Sequence, residues 1–306
     1  MVKPQRQART PEGMNRIDPR VCVPLLATHL GCLMVPLCGV SSTALVVAAG
    51  SYALRAFGLS AGYHRLLAHG AFRCGRGVRL VLTFLGAAAA QLGPLWWVGH
   101  HRLHHRFADT PRDPHAPGVH GRAHAHMGWL LTRRFRETPS FAVPDLAPVP
   151  ELAWLDRWPL AAPLAWALGL FALGEALATF APTFRTNGVQ LVAWGFFVST
   201  VALYHVTFAV NSLAHATGPP RGAGRDHSRN VAWLALPTLG DAWHRNHHRF
   251  PASARHGLEP GQIDLCYALL SGMARLGFVR DLRLPPRAAS SAAAAQAKPK
   301  RSPTRA

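Results

Sequence analysis

Four long, nearly unbroken apolar runs divide this chain. The first, Val21 to Val40, carries one histidine, His29, and the second covers Ser42 to Leu59. The third runs from Leu160 to Phe180 and the fourth from Val189 to Val210. A bilayer core about 30 Å thick takes roughly 20 apolar residues in a helix. Each run therefore predicts a transmembrane helix, with spans at about 21–40, 42–59, 160–180 and 189–210. They pair into two hairpins, the first closed by a tight turn around Gly39-Val40-Ser41-Ser42, and both chain ends fall on one side. A fifth apolar stretch, Val78 to Val98, reads as an interfacial or partly embedded helix. As a full span it would put the histidines before and after it on opposite faces of the membrane.

The polar positions set the orientation. Five basic residues lie in the first 20, eight in 99–158 and fourteen in 214–306. The first hairpin tip has none and the second has only Arg185. By the positive-inside rule the ends and the central loop are cytoplasmic. The organisation is then a basic tail at 1–20, an integral membrane domain at 21–285 and an Ala/Ser-rich basic tail at 286–306. That last segment cannot bury a core and is expected to be disordered.

Composition agrees with a membrane protein: 49% of residues are hydrophobic and 15% charged, against about 25% charged in soluble proteins. A net charge of +19 suggests nucleic acid or an anionic membrane. The basic residues lie between apolar runs and no nucleic-acid motif is present, so nucleic acid is excluded as a partner. The five cysteines form no C-x2-C pair, which argues against a disulfide framework or a zinc ribbon.

The chemistry lies in four clusters: His64-x4-His69, His101-x2-His104-His105, Asn211-x3-His215 and His244-x2-His247-His248. They hold nine of the 18 histidines. Imidazole binds iron, zinc and copper well and calcium or magnesium poorly. Nine ligands exceed the four that a tetrahedral zinc takes and suit two metal ions close together. On a helix, positions i, i+3 and i+4 share a face, so each H-x2-HH turn aims three imidazoles into one space. His64 and His69 would point about 140° apart on a straight helix. They converge only if the helix ends or bends between them. His29 reads as a hydrogen-bonded structural residue, and His205 as structural or substrate-facing. His100 reads as supporting or exposed, and His115, His120, His124 and His126 as a loop tract or metal-binding tract. Glu175, toward the far end of the third span, snorkels or pairs.

The flanks of these clusters carry a family resemblance. Gly62-Tyr63-His64-Arg65-Leu66-Leu67-Ala68-His69 and Trp96-Trp97-Val98-Gly99-His100-His101-Arg102-Leu103-His104-His105, followed by Asp113-Pro114-His115, resemble the membrane fatty acid desaturases of the acyl-CoA Δ9 (stearoyl-CoA-like) type. So do the run from His205 through Asn211 to His215 and His244-Arg245-Asn246-His247-His248-Arg249-Phe250-Pro251. The ending Ser253-Ala254-Arg255-His256-Gly257-Leu258 looks like the bacterial branch, and the likeness covers about 20–285.

The resemblance implies an all-α membrane protein with four transmembrane helices in two hairpins, interfacial helices and a cytoplasmic helical cap holding a di-iron site. It implies two iron ions on His64, His69, His101, His104, His105, His215, His244, His247 and His248, with Asn211 reaching the metal through water. Gln91, Trp97 and Thr207 match positions lining a kinked acyl tunnel, Trp97 having interface anchoring as its alternative. The implied reaction inserts a cis double bond into a saturated acyl chain, expected at Δ9, using O2 and two external electrons. No haem-binding domain or nucleotide fingerprint is visible, so the donor is a separate ferredoxin, cytochrome b5-like protein or flavoprotein reductase. The expected location is the inner cell membrane, with the termini and site cytoplasmic.

Three positions depart from the family pattern. Leu92 and Gly99-His100 stand where polar or acidic residues are usual, and Gly240-Asp241 replaces Gly-Glu. Acyl-CoA is the expected substrate, with acyl carrier protein and intact lipid as other carriers. A hydroxylase on the same core, or a non-catalytic membrane metal-binding protein, are the competing functions.

Overall fold

The computed structural model describes residues 16–215 and 226–286. The expectations for the tails therefore fall almost wholly outside the described residues. Among the described residues, four helices are long and apolar enough to cross a bilayer: Pro19–Cys38 (α1), Ser42–Ala68 (α2), Ala161–Phe180 (α6) and Gly188–Leu213 (α7). Between α2 and α6 lie Arg76–Ala88 (α3), Pro94–Phe107 (α4) and Pro150–Arg157 (α5). After α7 come the short His244–Arg249 (α8) and Leu265–Arg275 (α9). Strand β1, Arg73–Cys74, pairs antiparallel with β2, Val279–Arg280.

Local chemistry explains the ends. Asp18 caps α1 by accepting from the Arg20 N–H at 3.1 Å, and Ser41 caps α2 through the Ala44 N–H at 3.1 Å. Asn187 caps α7 and Asp264 caps α9, each at 2.9 Å. Such side chains satisfy N–H groups that the first helical turn leaves free. The turn between α1 and α2 passes through Gly39 at φ +68°, where glycine carries no steric penalty. At the other hairpin tip, Glu175 accepts from the Gly188 N–H at 2.9 Å, so it pairs with backbone.

The apolar stretch from Val78 to Val98 departs from a single interfacial helix. It is two helices, α3 and α4, broken at 89–93. Ala90 and Leu92 there adopt positive φ, and Gly93-Pro94 starts the new helix, where proline's fixed φ suits the first position. The break turns the chain so that α4 can aim at the end of α2. The helix containing the second apolar run continues past the run itself, to Ala68, and so delivers His64.

The bundle packs through small residues, as helices in lipid do. A Cβ added at Gly58 of α2 would lie 2.3 Å from the Gly86 backbone nitrogen of α3. Arg55 of α2 is fully buried. Its guanidinium donates to the Ala88 carbonyl at 3.3 Å, the Thr200 hydroxyl at 2.5 Å, the Gly195 carbonyl at 3.4 Å and the Ser199 hydroxyl. A buried cation otherwise costs several kcal/mol (~) unless such acceptors surround it. Here it ties α2, α3 and α7 together beside the histidine end.

Candidate functional site

The last turns of α2 solve the problem of His64 and His69. From Gly58 to Ala68 the helix winds in wide π turns, which hydrogen-bond five residues apart. The His69 N–H donates to the His64 carbonyl at 3.3 Å. One five-residue turn thus brings the two rings together edge to face, with centroids 5.1 Å apart. On α4, His101, His104 and His105 share a face. His215 follows α7, and α8 presents His244, His247 and His248.

These nine histidines meet in two groups. His64, His69, His101, His105 and His247 each offer a nitrogen within 4.8 Å of the others, as do His104, His215, His244 and His248. Nε2 atoms face one another: His69 to His101 and His247 to His105 at 2.8 Å, His244 to His215 at 2.9 Å, His64 to His247 at 3.0 Å and His104 to His248 at 3.2 Å. Two nitrogens bound to one ion at about 2.1 Å and a right angle lie about 3 Å apart. The spacing therefore fits one metal ion in each group.

Four carboxylates fix ring orientation from behind. Asp241 lies 3.2 Å from Nδ1 of His64, Asp113 3.0 Å from His104, Asp109 3.0 Å from His215 and Asp226 2.8 Å from His248. A carboxylate on Nδ1–H leaves the Nε2 lone pair facing the centre. Nδ1 of His244 and of His247 is buried without a partner among the described residues. Burial, then the neighbouring imidazoles, hold His69, His101, His105, His244, His247 and His248 well below the usual histidine range. They are neutral at pH 7, as metal ligation requires. Burial opposes charge on His104 as well, but Asp113 outweighs it and raises its pKa.

Two cavities reach this centre. The larger, about 290 Å³, is walled by Gln91, Leu92, Trp96, Trp129, Tyr204 and Phe208 among others. The smaller, about 60 Å³, is walled by Ala56, Leu59, Leu203 and Val206 and touches His64, His104 and His244. Trp97, His101, Thr207 and Asn211 line both. The cavities thus adjoin at a constriction beside the histidines, each with largely apolar walls.

The fatty acid desaturase family model matches residues 41–262. The chain belongs to the fatty acid desaturase family. It is 33% identical over 80% of its length to the hex-5-enoyl-[acyl-carrier protein] acetylenase of Moorena producens, covering 78% of that protein. It is 34% identical over 85% of its length to the chloroplastic palmitoyl-monogalactosyldiacylglycerol delta-7 desaturase of Arabidopsis thaliana, covering 67% of that protein. A sn-1 stearoyl-lipid 9-desaturase of Synechocystis is 34% identical over 76% of this chain and 69% of its own.

The histidines outside the two groups make contacts of their own. His29 donates from Nδ1 to the Leu25 carbonyl at 2.7 Å and meets His205 at 3.2 Å; His205 in turn meets His126 at 3.0 Å. His100, read as supporting or exposed, is buried and donates to the Trp96 carbonyl at 2.9 Å. The loop histidines part company: His120 meets the Asp113 carbonyl and His124 that of Pro114, both at 3.2 Å, while His115 joins His104 and Asp113. The residues that sequence reasoning missed are Asp109, Asp113 and Asp226 as partners of imidazole. With only 14 acidic residues in the chain, the nearness of Asp109 and Asp113 to His104-His105 was the available signal, and Asp226 had none.

Proposed function

We propose that this desaturase inserts a cis double bond, at Δ9, into a saturated long-chain acyl group. Two iron ions would be held by His64, His69, His101, His105 and His247 in one group and by His104, His215, His244 and His248 in the other. Bound iron would supply the O2-dependent oxidant that an unactivated C–H bond demands, since acid–base chemistry does not reach it. The protein's own residues bind, bend and dry the substrate. Trp97 and Thr207, with Gln91 nearby, hold the chain at the constriction, where its carbons pass the histidine groups. A bend there favours the conformer that gives a cis product. The apolar walls exclude water from the reacting carbons. Asn211 lines both cavities and would order a water beside bound iron. Electrons come from a separate donor, and the site faces the cytoplasm of the cell whose inner membrane holds the chain.

The observation that carries this reading is that apolar cavities meet at Trp97, His101 and Thr207, beside two groups of convergent imidazoles. The test is expression in a host lacking unsaturated-lipid synthesis, with a His104→Ala control. A new cis-monoene that the control lacks supports the proposal, and its position settles Δ9. A hydroxy acid in its place would move the assignment to hydroxylation. No product and no iron would overturn it.

A further inference from the structure

Away from the nine-histidine centre, two further histidines face each other across helices. His29 of α1 and His205 of α7 bring their Nε2 atoms to 3.2 Å, with ring planes 76° apart. The five Nε2 pairs inside the centre have the same form: 2.8–3.2 Å between nitrogens and 70–87° between planes. Two imidazoles aimed at one point, about 2.1 Å from each nitrogen, take that form. His205 is exposed and His29 partly exposed, so the pair lies on the outer face of the bundle. His205 stands ten residues before His215, about 15 Å at the rise of a helix. Histidines within spans are rare and mark functional positions, ion sites among them.

The hydrogen bonds around the pair suit ligation. The Leu25 carbonyl, 2.7 Å from Nδ1 of His29, can only accept. Nδ1 therefore carries the proton of the neutral ring, and Nε2 carries the lone pair. For His205 to present a lone pair at Nε2 as well, its Nδ1–H must find an acceptor. His126, at the end of the segment Arg122–His126 between α4 and α5, offers Nε2 at 3.0 Å, its ring within 14° of parallel to that of His205. The Nδ1–H of His126 then donates to Ser212 Oγ at 3.0 Å, and the Ser212 hydroxyl donates to the Phe208 carbonyl at 3.2 Å. Every proton has an acceptor, and both Nε2 lone pairs point at the same space.

We propose that His29 and His205 hold a further metal ion, a divalent ion of the zinc or copper(II) class, for which imidazole is a favoured ligand. His126 orients His205 from behind, as partners of ligating histidines do. Water completes the shell on the open side. The proposal rests on this geometry and not on the desaturase reading. The ion would clasp two helices that wall one cavity. Thr28 of α1 and Tyr204 of α7, each next to a ligand in sequence, line the larger cavity, as do Leu25 and Phe208. Metal occupancy thereby sets how freely α1 moves against α7 along that wall.

The test uses the full chain, iron-loaded, in nanodiscs, with zinc as the probe. Zinc is titrated in, and both metals are counted by elemental analysis. One zinc per chain is expected at unchanged iron content, with nitrogen neighbours at about 2.0–2.1 Å and imidazole scattering in its X-ray absorption spectrum. His126→Gln should weaken zinc binding about 10–100-fold, the range of an outer partner, and His29→Gln and His205→Gln should each weaken it by more than that. Unchanged iron content in each variant shows that the fold is intact. Zinc should also slow hydrogen exchange in α1 around His29, and not in His29→Gln. Equal zinc binding by the His29→Gln/His205→Gln double variant would overturn the site. So would sulfur neighbours from Cys22, Cys32 or Cys38 of α1, or zinc gained only as iron is lost. No zinc uptake would reduce the pair to a plain hydrogen bond and overturn it too, and unslowed exchange with zinc bound would overturn the clasp.

Discussion

Both carboxylate oxygens of Asp113 lie 3.0 Å from Nδ1 of His104, and the pair is buried from solvent. The carboxylate holds the ring's proton on Nδ1 and turns its Nε2 lone pair toward the second histidine group. Removing it frees the ring and makes it a weaker base. Asp113→Ala should therefore weaken iron binding at that group about 10–100-fold. Titrating iron into the metal-free protein checks this. Unchanged affinity would mean that the ring is held by packing alone.

The two histidine groups share no member, so they should lose metal separately. His101→Ala removes a nitrogen from the five-histidine group and His244→Ala one from the four-histidine group. Each variant should fall from about two iron ions per chain to about one, with desaturation abolished in both. Elemental analysis of purified protein decides it. Loss of both ions from either variant would show that the groups assemble as one unit.

Much of this centre was legible because H-x2-HH is a helix-face pattern whose meaning depends only on local geometry. His101, His104 and His105 lie on α4 as that rule requires, and α8 repeats the arrangement. The hydropathy runs likewise marked four helices, since span length depends on the thickness of the bilayer and not on tertiary detail. What was hidden depends on long-range contact. Nothing near Asp226 says that its carboxylate meets His248, 22 residues on. The π winding before His69 arises where α2 packs on α3 through Gly58 and Gly62, a constraint that no local propensity carries. The break at 89–93 does carry a local signal, Gln91 and the Gly93-Pro94 pair, but the apolar residues on either side outweigh it.

Arg65 is fully buried, donating to Asp241 at 2.6 Å, to Asp264 at 3.1 Å and to His256 at 3.0 Å. Asp241 also holds His64, so this network links α2, the approach to α8 and the cap of α9. Arg65→Met would take the cation from Asp264, which is buried, and from Asp241, which is 20% exposed and keeps His64. A loss of about 3–5 kcal/mol is expected, read as a marked fall in the thermal midpoint of purified protein. Asp264→Asn, which leaves Asp241 paired, should cost less. Equal losses would place the cost outside the ion pairs.

Acid should weaken the fold. Burial pushes His100 and His256 down to about 4 from the ordinary 6.5. The folded chain then binds fewer protons than the unfolded chain between those values, and stability falls as pH drops through that window. At full extent each group contributes roughly 3 kcal/mol of this loss, at about 1.4 kcal/mol per pKa unit. Thermal midpoints of metal-free protein should decline from pH 7.5 toward pH 5, and less steeply in His100→Asn. A midpoint that rises on acidification would contradict the buried, neutral state of these rings.

On the proposed reading, the smaller cavity would limit the acyl chain beyond the constriction. Ala56 and Leu59 of α2 face Leu203 and Val206 of α7 across it, in about 60 Å³. Ala56 is itself only 4% exposed, so a larger side chain there must fill the cavity or strain its walls. Ala56→Phe should shorten the space for the methyl end while leaving the larger cavity, and hence the count of carbons from the carboxyl group, unchanged. Stearoyl chains should lose turnover about tenfold more than shorter saturated chains, the discrimination that a methylene or two makes in an apolar pocket. The double bond should stay at the same carbon. Gas chromatography of total fatty acids from a host expressing the variant reads both effects. If the bond moves toward the carboxyl group in step with the lost space, the methyl end is the ruler and the carboxyl end is free.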